Sequence, residues 1–233
     1  MITERVAIIT GASQGLGRAL AEHLSREGWS VVAVARGEAL LSEVVRGIVR
    51  EGGRAIAVAA DIADPEAATR IAGRAQAMGQ VELLVHAASS LGPVPLRPLL
   101  DISSGEFEDV VQTNLLGPFR LTRAVAGAMA IHHTGTVLFV SSDAAVEAYP
   151  GWGIYGCTKA AADHLARTFA AELGDRGVRV HSVDPGEMDT MMHAAALPDA
   201  DRTALAEPWV VARAIVKRLD ESIPSVRFAA GAS

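Results

Sequence analysis

Only one cysteine, Cys157, occurs in the 233 residues. A single thiol cannot close an internal disulfide or complete a cysteine-based zinc site, which suits a reducing compartment. Aromatic residues make up 4% of the chain. A core must therefore be built mainly from Ala, Val, Leu and Ile, side chains that let helices lie close on a buried parallel sheet. Positive charge is in deficit, with a net charge of −6, which argues against broad nucleic-acid binding. No apolar run approaches the roughly 18 residues of a membrane span. The N-terminus leads into a strand-like run, Val6 to Ile9, with no long apolar core of the signal type. A cytoplasmic protein is expected, with neither a membrane nor a nucleic-acid partner. No metal is expected either. His132 and His133 are adjacent near a helix end, whereas a helical ligand pair sits at i and i+4; solvated or C-capping roles suit them.

What the chain has is apolar residues, 50% of the total, arranged as short runs alternating with longer amphipathic ones. The short runs predict strands over Arg5–Ile9, Ser30–Ala35, Arg54–Ala59, Glu82–His86, Thr136–Ser141 and Val178–Val183, with a weaker one near Val226–Ala229. Helices are predicted over Gly15–Glu27, Glu38–Glu51, Pro65–Met78, Ser104–Ile131, Tyr155–Asp175 and Pro208–Glu221. Repeated β-then-α order predicts an α/β fold: one Rossmann-type, doubly wound parallel sheet of about seven strands with helices on both faces. No linker, repeat or low-complexity tract divides residues 1–233, so a single domain is expected, with a short substrate-loop segment at about 186–207.

Chemistry first shows in "TGASQGLG", Thr10 to Gly17, between the first strand and the first helix. Gly11, Gly15 and Gly17 let the backbone turn tightly and approach a ligand. The following helix N-terminus offers free N–H groups to a phosphate. About 20 residues on, the end of the second strand should lie near an adenosine ribose. An acidic residue there would bond the ribose hydroxyls of NAD. The chain has Arg36, which can pair with a 2′-phosphate and stack on adenine, or simply be a solvated arginine. Asp61, after the third strand, suits the adenine edge, or else opens the turn that Asp64-Pro65 marks.

"YGCTK" runs from Tyr155 to Lys159. Residues four apart share a helix face, with Cβ atoms roughly 5–6 Å apart. A free phenol with a pKa of about 10 is a poor base; a neighbouring ammonium favours the phenolate and lowers that pKa. Tyr155 could then exchange a proton with a carbonyl or alcohol oxygen, and Ser142 could donate a hydrogen bond to the same oxygen. Singly, each residue has a plainer reading: a packing Tyr, a solvated Lys, a turn Ser, a self-bonded Asn114.

Together the Gly-rich loop, "QTNLLGPF", "VLFVSSD", "YGCTK" and "VDPGEMDT" resemble the short-chain dehydrogenase/reductase family, in its order and at its spacing over nearly the whole chain. The resemblance implies a catalytic quartet of Asn114, Ser142, Tyr155 and Lys159. Lys159 is implied also to hold the nicotinamide ribose, and Asn114 to anchor a water linking Lys159 to solvent. Cofactor contacts are implied for Gly11, Ser13, Gln14, Gly15, Leu16 and Gly17, for Arg36, Asp61, Ile62 and Ala87, and for Tyr155, Lys159, Pro185, Gly186 and Thr190. The expected activity is NADP(H)-dependent hydride transfer, NADP(H) preferred over NAD(H), with a small carbonyl or secondary alcohol substrate. A homodimer or homotetramer is implied. The alternative is a non-catalytic dinucleotide-binding protein that senses redox state or binds partners. Two features depart from the family pattern. "HAAS" puts His86, expected as a hydrogen-bonded core residue, where asparagine is usual, and Ser89 where glycine is usual. Met188, Met191 and Met192 suit either an adaptable flap or a short helix packing on the core. Trp152 suits a pocket wall, a lid or an interface.

Overall fold

β1 (Arg5–Thr10) explains why its sequence is apolar without alternation. Val6 and Ile8 point into one core, Ala7 and Ile9 into another on the opposite face, and all four are fully buried. A strand covered on both sides has no polar face to show. In the computed structural model, which describes residues 4–221 and 223–230, β1 sits centrally in a seven-stranded parallel sheet. The others are β2 (Ser30–Ala35), β3 (Arg54–Ala59), β4 (Gln80–His86), β5 (Gly135–Val140), β6 (Val178–Asp184) and β7 (Arg227–Ala229), in the order β3-β2-β1-β4-β5-β6-β7. Residues 1–3, 222 and 231–233 of the expected domain lie outside the described residues.

Helices α1 (Gly15–Arg26), α2 (Glu38–Arg50) and α8 (Pro208–Asp220) cover one face. On the other lie α3 (Ala67–Gln76), α5 (Gly117–His132) and α6 (Gly153–Leu173). α4 (Ser104–Val111) leads into α5, and α7 (Met191–Ala196) belongs to the segment after β6. The chain winds outward from β1 through β2 to β3, then crosses back to β4. The carboxyl ends of β1 and β4 thus form the switch point at which open α/β sheets bind ligands.

Most predicted elements recur with shifted ends. α3 starts at Ala67, because the Asp64 carboxylate accepts from Glu66 N and holds Pro65 in a turn. α6 starts at Gly153, two residues before Tyr155. β7 excludes Val226.

The uninterrupted helix predicted over Ser104–Ile131 is corrected. A π-turn over Gln112–Leu116 separates α4 from α5. Pro118 is the physical reason: it has no N–H for the carbonyl of Asn114, four residues back, and its ring crowds that carbonyl. Gly117 fits there because a Cβ would fall 2.8 Å from Ile62 Cγ1. His133 caps α5 in a left-handed conformation, φ 52°.

Candidate active site

The loop after β1 is glycine-built because two backbones meet there. Gly11 has φ 71°, and a Cβ on it would lie 2.8 Å from Ala88 N and 2.9 Å from the Ala87 carbonyl. A Cβ on Gly17 would collide with the Gly11 carbonyl. Gly15, φ 54°, faces Thr190. Gln14 is the N-cap residue of α1, no side chain caps that terminus, and the first turn holds no acidic residue. The amides there stay available to an anion. Ser13 is half-buried at the same bend. Leu16 is placed differently from what a ligand contact would suggest. Its side chain is in the core, 6% exposed, so only its backbone faces the loop.

Around the expected adenosine side, Arg36 is exposed directly after β2. Asp61 is exposed and its Oδ1 accepts from Ala63 N at 2.9 Å, an Asx turn. Ile62 is a core side chain under Gly117. Ala87 N donates to Thr10 Oγ1 at 3.1 Å, as does Ala88 N. Thr10 Oγ1 in turn donates to Val85 O at 3.3 Å. Thr10 therefore staples β1 to the chain leaving β4, a role sequence reasoning missed although the residue opens the glycine motif.

The four residues of the expected quartet converge at the carboxyl ends of β4 and β5. Lys159 is buried, its Nζ donates to Val140 O at 2.7 Å, and it lies 5.4 Å from the centroid of the Tyr155 ring. Tyr155 is 7% exposed. Ser142 follows β5, donating to Asp143 Oδ1 at 2.9 Å and accepting from Ala144 N at 3.2 Å. Asn114, on the π-turn, has its whole amide engaged. Its Oδ1 accepts from Ser89 Oγ and Ser90 N, and its Nδ2 donates to Ser90 O and Thr158 Oγ1. Thr158 Oγ1 donates to the Tyr155 carbonyl at 2.8 Å. Asn114 thus ties the loop after β4 to the helix turn carrying Tyr155. Its side chain has no capacity left for a water, so any water it anchors must use its carbonyl.

The expectation that Lys159 depresses the phenol pKa is corrected. Burial pushes Tyr155 up to about 12; hydrogen bonding with Ser142 opposes this, while the Asp143 and Asp184 carboxylates reinforce it. Lys159 is itself brought down to about 8 by burial, against the pull of Asp163. Its ammonium lies over the ring and gives a hydrogen to Val140, so its charge is not spent on the hydroxyl. His86 is a buried core residue, as expected: its Nε2 lies 2.8 Å from Thr122 Oγ1. Burial, then the charge of Lys159, bring it down to about 3, so it is neutral at ordinary pH.

Pro185 is buried, Gly186 has φ 71°, and Gly186 N donates to Asp184 Oδ1 at 3.1 Å. Thr190 Oγ1 caps α7 by accepting from His193 N. The ends of the 186–207 segment are zipped by Asp189 N to Ala206 O and Ala206 N to Glu187 O. Its methionines divide: Met188 packs on the core below, Met192 packs toward Tyr155, and Met191 is 72% exposed. Leu91, Ala144, Leu96 and Trp152 complete an apolar wall with Met192, and Trp152 meets the Tyr155 ring edge-on at 5.7 Å. A cavity of about 350 Å³ lies between α1 and the starts of α7 and α8, touching Gly15, Thr190 and Trp209 but not Tyr155.

A glycine loop at the carboxyl end of β1, next to β4 where the strand order reverses, is the architecture of dinucleotide-binding proteins. The short chain dehydrogenase family model matches residues 5–201. A short chain dehydrogenase of Pseudocercospora fijiensis is 36% identical over 213 residues, covering 88% of this chain and 66% of that protein. An NAD-dependent oxidoreductase of Mycobacterium tuberculosis is 35% identical over 204 residues, covering 81% of this chain and 73% of that one. A crystal structure from Beutenbergia cavernae with bound NADP at low occupancy superposes with a TM-score of 0.87 at 29% identity, covering 98% and 96% of the two chains. The chain belongs to the short-chain dehydrogenase family of oxidoreductases. Among the described residues no helix is long and apolar enough to cross a membrane.

Proposed function

We propose that this chain is an NADP(H)-dependent reductase of a small, largely apolar carbonyl compound, with Tyr155 as the general acid. The observation that carries this reading is the meeting of Ser142, Tyr155 and Lys159 beside the switch-point crevice, under an apolar wall. The chain's own residues fit a dinucleotide. Gly11 and Gly17 occupy positions a Cβ would fill, the N-terminus of α1 is uncapped, and Arg36 is exposed without an acidic residue in its place. Gly15, Ser13, Gln14 and the Leu16 amide would hold the phosphates, Arg36 the 2′-phosphate, Asp61 and the Ile62 and Ala87 backbones the adenosine. Lys159, Pro185, Gly186 and Thr190 would hold the nicotinamide side. When bound, the cofactor supplies or accepts the hydride.

The protein's part is the proton and the geometry. Burial keeps the Tyr155 hydroxyl protonated at neutral pH, so it is a proton donor in reach of a carbonyl oxygen. Ser142 orients that oxygen after turning its hydroxyl from Asp143. The Asn114 carbonyl, released from its usual partner by Pro118, is the point at which a water could refill Lys159. Association through α5 and α6 as a homodimer or homotetramer goes with this reading, as does a substrate loop at 186–207. The test is Tyr155→Phe. Turnover of a ketone panel should fall by roughly 10²–10⁴-fold with NADPH binding retained. Turnover near wild type removes the proposed acid. A wild type that binds NADPH and reduces nothing favours the sensing alternative.

A further inference from the structure

Arg227 of β7 reaches two places that lie far away in sequence. Its Nε donates to Asp163 Oδ2 at 2.9 Å, and its Nη2 to Ser142 O at 2.9 Å. The same Nη2 lies 3.4 Å from Asp184 Oδ2. Asp163 is on α6, one turn after Lys159, and its side chain is 5% exposed. Its Oδ1 is buried and has no hydrogen-bond partner among the described residues. A buried carboxylate with a free oxygen, four residues from a lysine on one helix, would ordinarily draw that lysine to itself. Lys159 does not go there. Its Nζ is given to Val140 O and lies over the Tyr155 ring.

We propose that Arg227 is a positioning residue of this site: by occupying Asp163 and holding the Ser142 carbonyl, it leaves the Lys159 ammonium beside Tyr155. This rests on the reading of Tyr155 and Lys159 given above. The groups facing Lys159 are Tyr155 and Asp163 on its own helix, neutral His86 from β4 and the Val140 carbonyl from β5. Beyond Asp163 stand Arg227 and, on its far side, Asp184 of β6. Of these, only Asp163 can compete for the ammonium with a full charge at close range. Without Arg227 that carboxylate is bare and buried, and an opposite charge within helical reach favours the charged lysine. Lys159 would turn down the helix, away from the phenol, and Ser142 would lose the donor that fixes its carbonyl.

Lys159 and Lys217 are the only lysines in the chain. An NMR pH titration of ¹³C-lysine-labelled protein therefore reads Lys159 directly, with Lys217→Arg to assign the signals. It needs neither cofactor nor turnover. In wild type Lys159 should titrate near the value of about 8 set by burial. In Arg227→Met its midpoint should rise by about one pH unit or more. In Asp163→Asn/Arg227→Met it should return to the wild-type value or below. In ketone reduction Arg227→Met should lose roughly tenfold in kcat, with its alkaline limb moved to higher pH; the double variant should recover most of the loss. An unmoved midpoint in Arg227→Met, or a raised midpoint that persists in the double variant, overturns the proposal. Should Arg227→Met not fold, Asp163→Asn alone decides. It carries no bare carboxylate, and the Lys159 midpoint should fall by less than about one unit; a larger fall means Asp163 already serves Lys159, and overturns it. Full turnover in Tyr155→Phe would instead remove the reading of the phenol and leave the lysine titration standing.

Discussion

Replacing Lys159 with Met isolates the energetic cost of keeping a buried cation beside Tyr155. The ammonium has a pKa of 10.5 when solvated and about 8 in the fold, where burial disfavours its charge more than Asp163 favours it. Below pH 8 both folded and unfolded chains carry the charge, and the folded state bears the full penalty. Above pH 10.5 both are neutral and the penalty is gone. Stability therefore rises with pH between the two values, since the unfolded chain binds more protons there. At about 1.4 kcal/mol per pH unit, the interval corresponds to about 3 kcal/mol. Tyr155 acts in the opposite sense and higher: its pKa goes from 10.0 to about 12, so stability falls as pH rises through that range. The two windows barely overlap. Urea unfolding of wild type and Lys159→Met, compared from about pH 7 to about pH 10.5, cancels the Tyr155 contribution. The wild type should gain about 3 kcal/mol on the variant across that range. A difference that stays flat with pH would mean that Lys159 is not desolvated, and the electrostatic account of the site would fail with it.

Three further perturbations probe the cradle and the scaffold. Arg36→Asp should weaken NADPH by about 2 kcal/mol, roughly thirtyfold, while leaving NADH little changed; equal effects in binding titrations would reverse the cofactor preference. Gly17→Ala places a methyl against the Gly11 carbonyl, and should cost about 1–3 kcal/mol in urea unfolding and loosen dinucleotide binding; an unchanged midpoint would show that the loop has room. Asn114→Leu strands Ser90 N, Ser90 O and Thr158 Oγ1. It should cost about 3 kcal/mol, visible as a lowered urea midpoint, and a loss of activity without a loss of stability would contradict its bracing role.

The helix break at Asn114 is marked in the sequence by Pro118, yet apolar periodicity hides it. Pro118 stands inside a run whose apolar spacing continues, and periodicity does not register a missing N–H. The glycine loop was legible for the opposite reason. Few residues besides glycine tolerate φ near 70°, so the need for it is written in the residue type. The Tyr155–Lys159 pair was equally open to reading, because both residues ride one helix whose pitch sets their separation.

By itself the sequence determined the local part: alternating elements, a doubly wound parallel sheet, the glycine-built loop after β1 and the shared face of Tyr155 and Lys159. These depend on backbone geometry and on near neighbours. The tertiary structure alone decided how the charges are apportioned. Arg227 meets Asp163 and Ser142 across 64 and 85 residues, Asn114 meets Thr158 across 44, and the phenol's pKa rises where proximity to a lysine suggested a fall. Desolvation and long-range pairing depend on what else fills the space around a group, and only the packed chain supplies that.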